Sequence, residues 1–237
     1  MLPRTLEPEF MDTAEEARDY DSMDHAEVNR RFVGDLLTVV EGRRQKAEGR
    51  EQNDQRRLGV LDLGTGTAQI PIELCRRARW IDIVAVDAAA HMLDLARRNI
   101  ESAGLTSRIQ VQQADAKRLP FVDRDFDAVI SNSIIHHLPE PIFCLKEAQR
   151  VCRPGGLLFF RDLMRPHTDA ELNNLVDLYA PPAGTSPAED HQRAMLSDSL
   201  HAALRLDEIR HFVTELGLPA DSVQPTSDRH WTFSTRV

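Results

Sequence analysis

Residues 60–68 read VLDLGTGTA, and this segment leaves the chain few folds to choose from. An apolar strand pattern runs into Gly64 and Gly66, and an amphipathic helical pattern opens directly behind them. Without Cβ atoms at those two positions the backbone can turn sharply and a ligand can approach it closely. The helix that follows presents free N–H groups at its start. Around this turn, short apolar runs at 58–63, 81–86, 108–113, 126–131 and 157–162 read as strands. Helical patterns at 67–78, 88–102 and 139–152 lie between them, and Pro154-Gly155-Gly156 turns the chain into the fifth strand. Strands apolar on both faces, alternating with helices, mark a parallel sheet covered on both sides.

The flanks are helical. Patterns at 10–20 and 25–41 open the chain, the second with Val28, Phe32, Leu36 and Val40 at near-helical spacing and closed by Gly42. Beyond the fifth strand, helical stretches at 169–179 and 188–203 flank a turn-rich PPAGTSP segment. A helix at 206–216, ended by Gly217, precedes two short strand-like pieces at 222–225 and 230–235. A chain of 237 residues organised in this way reads as a single domain, 1–237. Residues 1–57 would form a helical cap and 165–205 a lid or acceptor-binding insertion.

A formal net charge of −9 argues against broad nucleic-acid binding, which relies on many Lys and Arg contacts to phosphate. The Arg-rich stretch 43–57 reads as a solvated connector. No apolar run approaches the roughly 18 residues of a membrane span, and the acidic opening MLPRTLEPEFMD lacks the layout of a secretory signal. The expected placement is cytoplasmic. Cys75, Cys144 and Cys152 show no metal-binding spacing and read as core thiols.

Four acidic or polar positions give the glycine turn its chemistry. Asp62, two residues before Gly64, is a poor neighbour for a pyrophosphate but suits a ligand carrying an amino cation. A dinucleotide site would want a further glycine at position 69, where the chain has Gln69, so a nicotinamide-dependent oxidoreductase is disfavoured. Asp87, at the end of the second strand, can accept both hydroxyls of a ribose or cap the next helix. Ala88 and Met92 would add apolar contact beside it. Asp115-Ala116 follow the third strand, where the acid can accept from an adenine amine or sit in a turn. Asn132 falls at the carboxyl end of the fourth strand, where open α/β sheets keep their ligand crevice.

Taken in order, DLGTGT, Asp87, Asp115, FDAVISNSIIHHL and RVCRPGGLLFFRD resemble the motifs of the class I S-adenosylmethionine-dependent methyltransferases. The likeness is firm over 58–162, with Ala68 standing where the family has its third glycine. It implies a Rossmann-like α/β fold: a seven-stranded, mostly parallel sheet with helices on both faces and an antiparallel last strand. It also implies S-adenosyl-L-methionine as cofactor and methyl transfer as the reaction. By resemblance Asp62 would hold the methionine amino group, Gly64, Thr65 and Gly66 would line methionine and ribose, and Asn132 would lie near the methionine end. Tyr20 sits where such enzymes close a lid, or it packs its helix onto the core.

Catalytic groups are less defined. His136 and His137 follow the fourth strand, and either can serve as a base near neutral pH, cap the next helix or simply pack. Arg161 and Asp162 end the fifth strand; paired they would be structural, and apart they could read a polar acceptor. No Asn/Asp-Pro-Pro-Tyr sequence follows the fourth strand, which argues against the N-methylating subgroup that acts on adenine, cytosine and glutamine and favours a small-molecule acceptor. A second resemblance touches 192–200 (QRAMLSDSL), which is similar to a stretch of carboxy-S-adenosylmethionine synthases. There Arg193 would meet the added carboxylate, with prephenate as donor. A non-catalytic S-adenosylmethionine-binding protein and a homodimer are left open.

Overall fold

Each apolar run of the sequence becomes a strand of one sheet. The computed structural model describes residues 1–7, 13–23, 25–48, 56–184 and 186–237. Its strands are β1 (Leu58–Leu63), β2 (Ile81–Asp87), β3 (Ile109–Gln113), β4 (Phe126–Asn132), β5 (Cys152–Leu163), β6 (Val223–Pro225) and β7 (His230–Arg236). They lie in the order β3-β2-β1-β4-β5-β7-β6. The pairs from β3 to β5 are parallel, and β7 runs antiparallel to both β5 and β6. The mostly parallel sheet with its antiparallel last strand is the one the motifs implied.

Alternating side chains on the central strands feed two apolar layers. Val60, Ala128, Ile130 and Phe159 face α2 (Ala26–Glu48), α3 (Gln69–Arg77) and α4 (Ala90–Ser102), against Phe32, Leu36, Leu74, Ala96 and Ile100. Leu61, Val129, Leu158 and Phe160 face the other way, against α5 (Pro141–Val151) and α8 (Leu206–Glu215) through Leu145, Ala148, Ile209 and Val213. A third apolar cluster joins Leu2 to α6 (Asp169–Tyr179) and α7 (Pro187–Ala202) through Leu172, Val176 and Leu200. The three cysteines are buried and form no disulfide. Among the described residues no helix is long and apolar enough to cross a membrane.

Several expected boundaries move. The first helix, α1 (Ala14–Ser22), starts later than the pattern at 10–20, whose first three residues lie outside the described ones. Helix α2 passes through Gly42 to Glu48. A single helical glycine costs only about 1 kcal/mol, and 43–48 (RRQKAE) are good helix formers, so the helix continues. Of the Arg-rich stretch, residues 49–55 lie outside the described ones. Arg56 and Arg57 are not merely solvated, since they pair with Asp127 at 2.6 Å and Asp82 at 2.7 Å. Strand β5 starts at Cys152 and so includes the Pro-Gly-Gly expected as a turn, with a register shift against β4 between Phe126 and Ala128.

The chain fills β1, β2 and β3 to one side and then crosses over to place β4 on the other side of β1. Connections leaving β1 and β4 therefore diverge, and a crevice opens at their carboxyl ends. Helix α2 holds the back of this framework. Phe32 is fully buried and meets the Phe159 ring edge-on at 5.2 Å. Phe32→Ala should cost about 3–5 kcal/mol, read as a lower urea midpoint at unchanged slope. A loss below about 1 kcal/mol would mean that α2 is not anchored through this ring.

Candidate active site

Strand β1 ends in a turn with three left-handed residues, Gly64 (φ 68°), Gly66 (φ 54°) and Ala68 (φ 65°). Thr65 N–H donates to the Val86 carbonyl at 2.9 Å, which ties the turn to β2. The Asp87 carboxylate accepts from Gly66 N–H at 2.8 Å and from Ala89 N–H at 3.0 Å. One acid thus holds the glycine turn, steadies the entrance to α4 and borders the crevice. The ribose-binding and helix-capping roles weighed for it are compatible, because each carboxylate oxygen keeps a second lone pair.

Gly64 has a reason the sequence did not reveal. A Cβ there would stand 1.9 Å from Cγ2 of Ile134, so the missing side chain makes room for the loop after β4. At Gly66 the space opens toward Tyr20, 3.5 Å from where a Cβ would lie. Ala68 takes a left-handed conformation without glycine's freedom, at a cost of roughly 1–2 kcal/mol.

The crevice is lined by Tyr20, Gly64, Gly66, Asp87, Ala88, Met92, Asp115, Ala116 and Asn132, all singled out from the sequence. Ala89, Ala114, Ser133, Ile134, His137 and Leu138 complete the wall. Asp62 and Thr65 do not line it; they lie beneath the turn, only 2% and 8% exposed. Burial pushes the Asp62 carboxyl up to about 7, and the neighbouring Asp87 charge adds to that push. The Thr65 hydroxyl lies near enough to oppose the shift but makes no well-formed hydrogen bond. Burial also raises Asp87, against the N–H donors of Ala89 and Gly66. Tyr20 rises to about 12 through burial and the nearby charges of Asp87, Asp62 and Asp21. Asn132 turns its amide nitrogen to Ser133 Oγ at 3.3 Å and leaves Oδ1 buried and unpartnered. Two acids and an orphaned acceptor gathered here suit a ligand that brings its own positive charge and N–H donors.

The proposed catalytic residues separate. His136 is 3% exposed and lies behind the wall, with Nδ1 at 2.5 Å from Asp162. Asp162, fully buried, also accepts from the backbone N–H groups of Ile135 (2.6 Å), His136 (3.3 Å) and Leu163 (2.6 Å). Burial disfavours the charged His136 ring, but Asp162 and Glu7 outweigh it and its pKa is raised. His137, a candidate base that could also cap or pack the next helix, is the imidazole that reaches the crevice. Arg161 and Asp162 neither pair with each other nor line the crevice, because consecutive strand residues point to opposite faces. Arg161 instead reaches Asp35 at 2.7 Å and Thr232 at 2.9 Å. Arg193 lies off the crevice as well; it donates to Asp177 and approaches the Pro181 and Val176 carbonyls at 3.3 and 3.5 Å, joining α7 to α6. The helices expected to cover the crevice mostly stand elsewhere: α1 contributes Tyr20, whereas α2, α6 and α7 contribute no lining residue.

Sequence reading missed the segment 1–7. Leu2 N–H donates to the His167 carbonyl and Thr5 N–H to that of His201. Arg4 donates to the carbonyls of Ala202 (2.7 Å), His136 (3.1 Å) and Leu138 (2.9 Å), and Glu7 comes to rest beside His136 and His137. Nothing periodic marks these residues, so no local pattern could have found them.

Residues 61–160 match the family described as a methyltransferase domain. Over 107 residues the chain is 38% identical to demethylmenaquinone methyltransferase of Deinococcus radiodurans, covering 45% of this chain and 44% of that protein. It is 26% identical over 168 residues to 27-O-demethylrifamycin SV methyltransferase of Amycolatopsis mediterranei, covering 71% and 56%. The chain spans about half the length of these relatives. In fold it is similar to a SAM dependent methyltransferase from Aquifex aeolicus, with a TM-score of 0.57 at 16% identity over 94% of this chain and 97% of that one. Phosphoethanolamine N-methyltransferase 2 of Haemonchus contortus, solved in complex with S-adenosyl-L-methionine, has a TM-score of 0.52 at 16% identity, over 74% of this chain and 36% of that one. Residues 61–160 are thus similar in sequence to methyltransferase domains, in agreement with the class I S-adenosylmethionine-dependent motifs.

The contact between Gly64 and Ile134 can be tested by paired substitution. Gly64→Ala should destabilise the protein by more than the roughly 1–2 kcal/mol of a left-handed alanine. Adding Ile134→Ala should recover part of that loss in thermal melts. Equal melting temperatures for the single Gly64→Ala and the double variant would sink the steric explanation.

Proposed function

We propose that this chain transfers the methyl group of S-adenosylmethionine to a small-molecule acceptor at the mouth of the crevice. The observation that carries the proposal is the electrostatic character of the site: burial and the Asp87 charge push the Asp62 carboxyl up, burial raises that of Asp87, and Asn132 Oδ1 at the crevice wall lacks a partner. Asn132 would hold the methionine amino group from the crevice wall with Asp62 adding its charge from beneath the turn, Asp87 would take the ribose hydroxyls, and Asp115 with Ala116 the adenine edge. Met92 and Ala88 would add apolar contact, and Tyr20 would cover the ligand from α1. S-adenosylmethionine supplies a methyl group activated by a positively charged sulfur, so the hard chemistry comes with the cofactor.

The chain's own task is to align the acceptor and exclude water, which can be worth roughly 7–11 kcal/mol where the geometry is favourable. Among the candidate bases, His137 is the one at the crevice wall and would take the acceptor's proton when that acceptor needs a base. The names of the relatives, a demethylmenaquinone and a demethylrifamycin methyltransferase, support a small organic acceptor. The net charge of −9 speaks against nucleic acid. Three buried, unbridged cysteines fit a cytoplasmic setting.

Turnover is the test. The protein, S-adenosylmethionine and a panel of quinol, phenol and amine acceptors should release S-adenosylhomocysteine with at least one acceptor class. Tight cofactor binding with no release across the panel would recast the chain as a non-catalytic binder.

Asp87→Ala should weaken S-adenosylmethionine binding about tenfold or more, the scale of lost hydrogen bonds to a charged group. Its melting temperature should also fall, because Gly66 and Ala89 lose their acceptor. Unchanged affinity would remove Asp87 from the site.

Affinity should also follow the charge on Asp62. With its carboxyl near 7 in the free protein, a cationic ligand binds the ionised form, so affinity should drop about tenfold from pH 8 to pH 6. The stability of the free protein should move the other way. A carboxyl raised above its unfolded value binds its proton more tightly in the native state, so stability declines as pH rises from about 4 through about 7. Asp62→Asn should flatten both profiles. Profiles identical to those of the parent protein would show that another group titrates.

A further inference from the structure

Behind the crevice wall, Glu7, His136 and His137 bring three potential ligand atoms within 4.8 Å of one another. Glu7 Oε1 lies 3.4 Å from His136 Nε2 and 3.0 Å from His137 Nδ1. Ligands about 2.0–2.1 Å from a tetrahedral zinc ion stand roughly 3.3 Å apart, so the two contacts of Glu7 each match a coordination edge. His137 Nδ1 is buried and makes no well-formed hydrogen bond despite its 3.0 Å approach to Glu7. A carboxylate oxygen and two ring nitrogens held so near one another are what a shared cation stabilises.

The surroundings are those of a prepared metal site. Asp162 engages His136 Nδ1 at 2.5 Å, which fixes the ring and directs Nε2 toward Glu7. Metal-bound histidines characteristically have their other ring nitrogen held by a carboxylate in this way. Ser199 Oγ donates to the Glu7 carboxylate at 3.2 Å and steadies the third ligand. Arg4, a neighbouring cation, is occupied by the carbonyls of Ala202, His136 and Leu138.

From this juxtaposition we propose that Glu7, His136 and His137 bind a divalent transition-metal ion of the zinc class, which fastens the segment 1–7 to the turn beside the crevice. Two imidazoles and a carboxylate favour zinc and its neighbours over magnesium or calcium, which prefer all-oxygen sites. Three protein ligands leave a further position for water. Because His137 also lines the crevice, the ion would brace the wall against which the acceptor is held.

The test uses the full chain without a histidine tag, stripped with a chelator and titrated with Co²⁺ under visible absorption, then with Zn²⁺ in competition. One ion per chain should bind, with a low-coordinate Co²⁺ spectrum that Zn²⁺ abolishes. Glu7→Gln and His137→Gln should each lose about a hundredfold or more in affinity, and Asp162→Asn about ten- to a hundredfold. His211→Gln, in the exposed His211–Glu215 pair, should bind as the parent does. Zn²⁺ should also raise the melting temperature of the parent and not that of Glu7→Gln, which keeps the test valid if a histidine variant folds poorly. No saturable binding by the parent, or affinity retained in either Glu7→Gln or His137→Gln, would overturn the site.

Discussion

Everything at the crevice depends on the Asp87 carboxylate meeting the backbone of the glycine turn. Asp87 ends β2, and its hydrogen bonds to Gly66 and Ala89 lock the turn after β1 to the start of α4. Without that clasp the left-handed residues from Gly64 to Ala68 would have less to hold them. The crossover from β3 to β4 then sets the other wall, and Ile134 closes against the bare face of Gly64. A ligand site at a topological switch point is thus built by two loops that brace each other.

The same acids that shape the site make it costly. A carboxylate out of water and beside another acid is destabilising, and the nearby Thr65 hydroxyl offsets only part of that for Asp62. Sites that carry such local debts against stability are commonly functional. On the other side of the wall the balance differs. Asp162 is buried too, but His136 first, and then the Leu163 N–H, hold its pKa below the usual carboxylate range despite burial. Asp62 is pushed up by burial and the Asp87 charge, whereas Asp162 is met by several donors.

Much of this was legible because it is local. The strand, glycine turn and helix at 60–68, the acid closing β2 and the asparagine closing β4 follow from period, composition and position. Most of the crevice lining came from such readings. What could not be read depends on the third dimension. Arg161 and Asp162 are neighbours in sequence but face opposite sides of β5, and Arg193 looked available until α6 supplied Asp177. His136 and His137 differ by one position on a short turn, yet one is sealed behind the wall and the other opens onto the crevice. The role of segment 1–7 rests on contacts more than a hundred residues away in the chain.

The most direct measurement of the central claim is a calorimetric titration of the purified chain with S-adenosylmethionine, S-adenosylhomocysteine and NAD. Saturable binding of both sulfur nucleosides, with none for NAD, is the predicted result. Binding of NAD alone, or of none of the three, would contradict the assignment of the glycine turn and its acids.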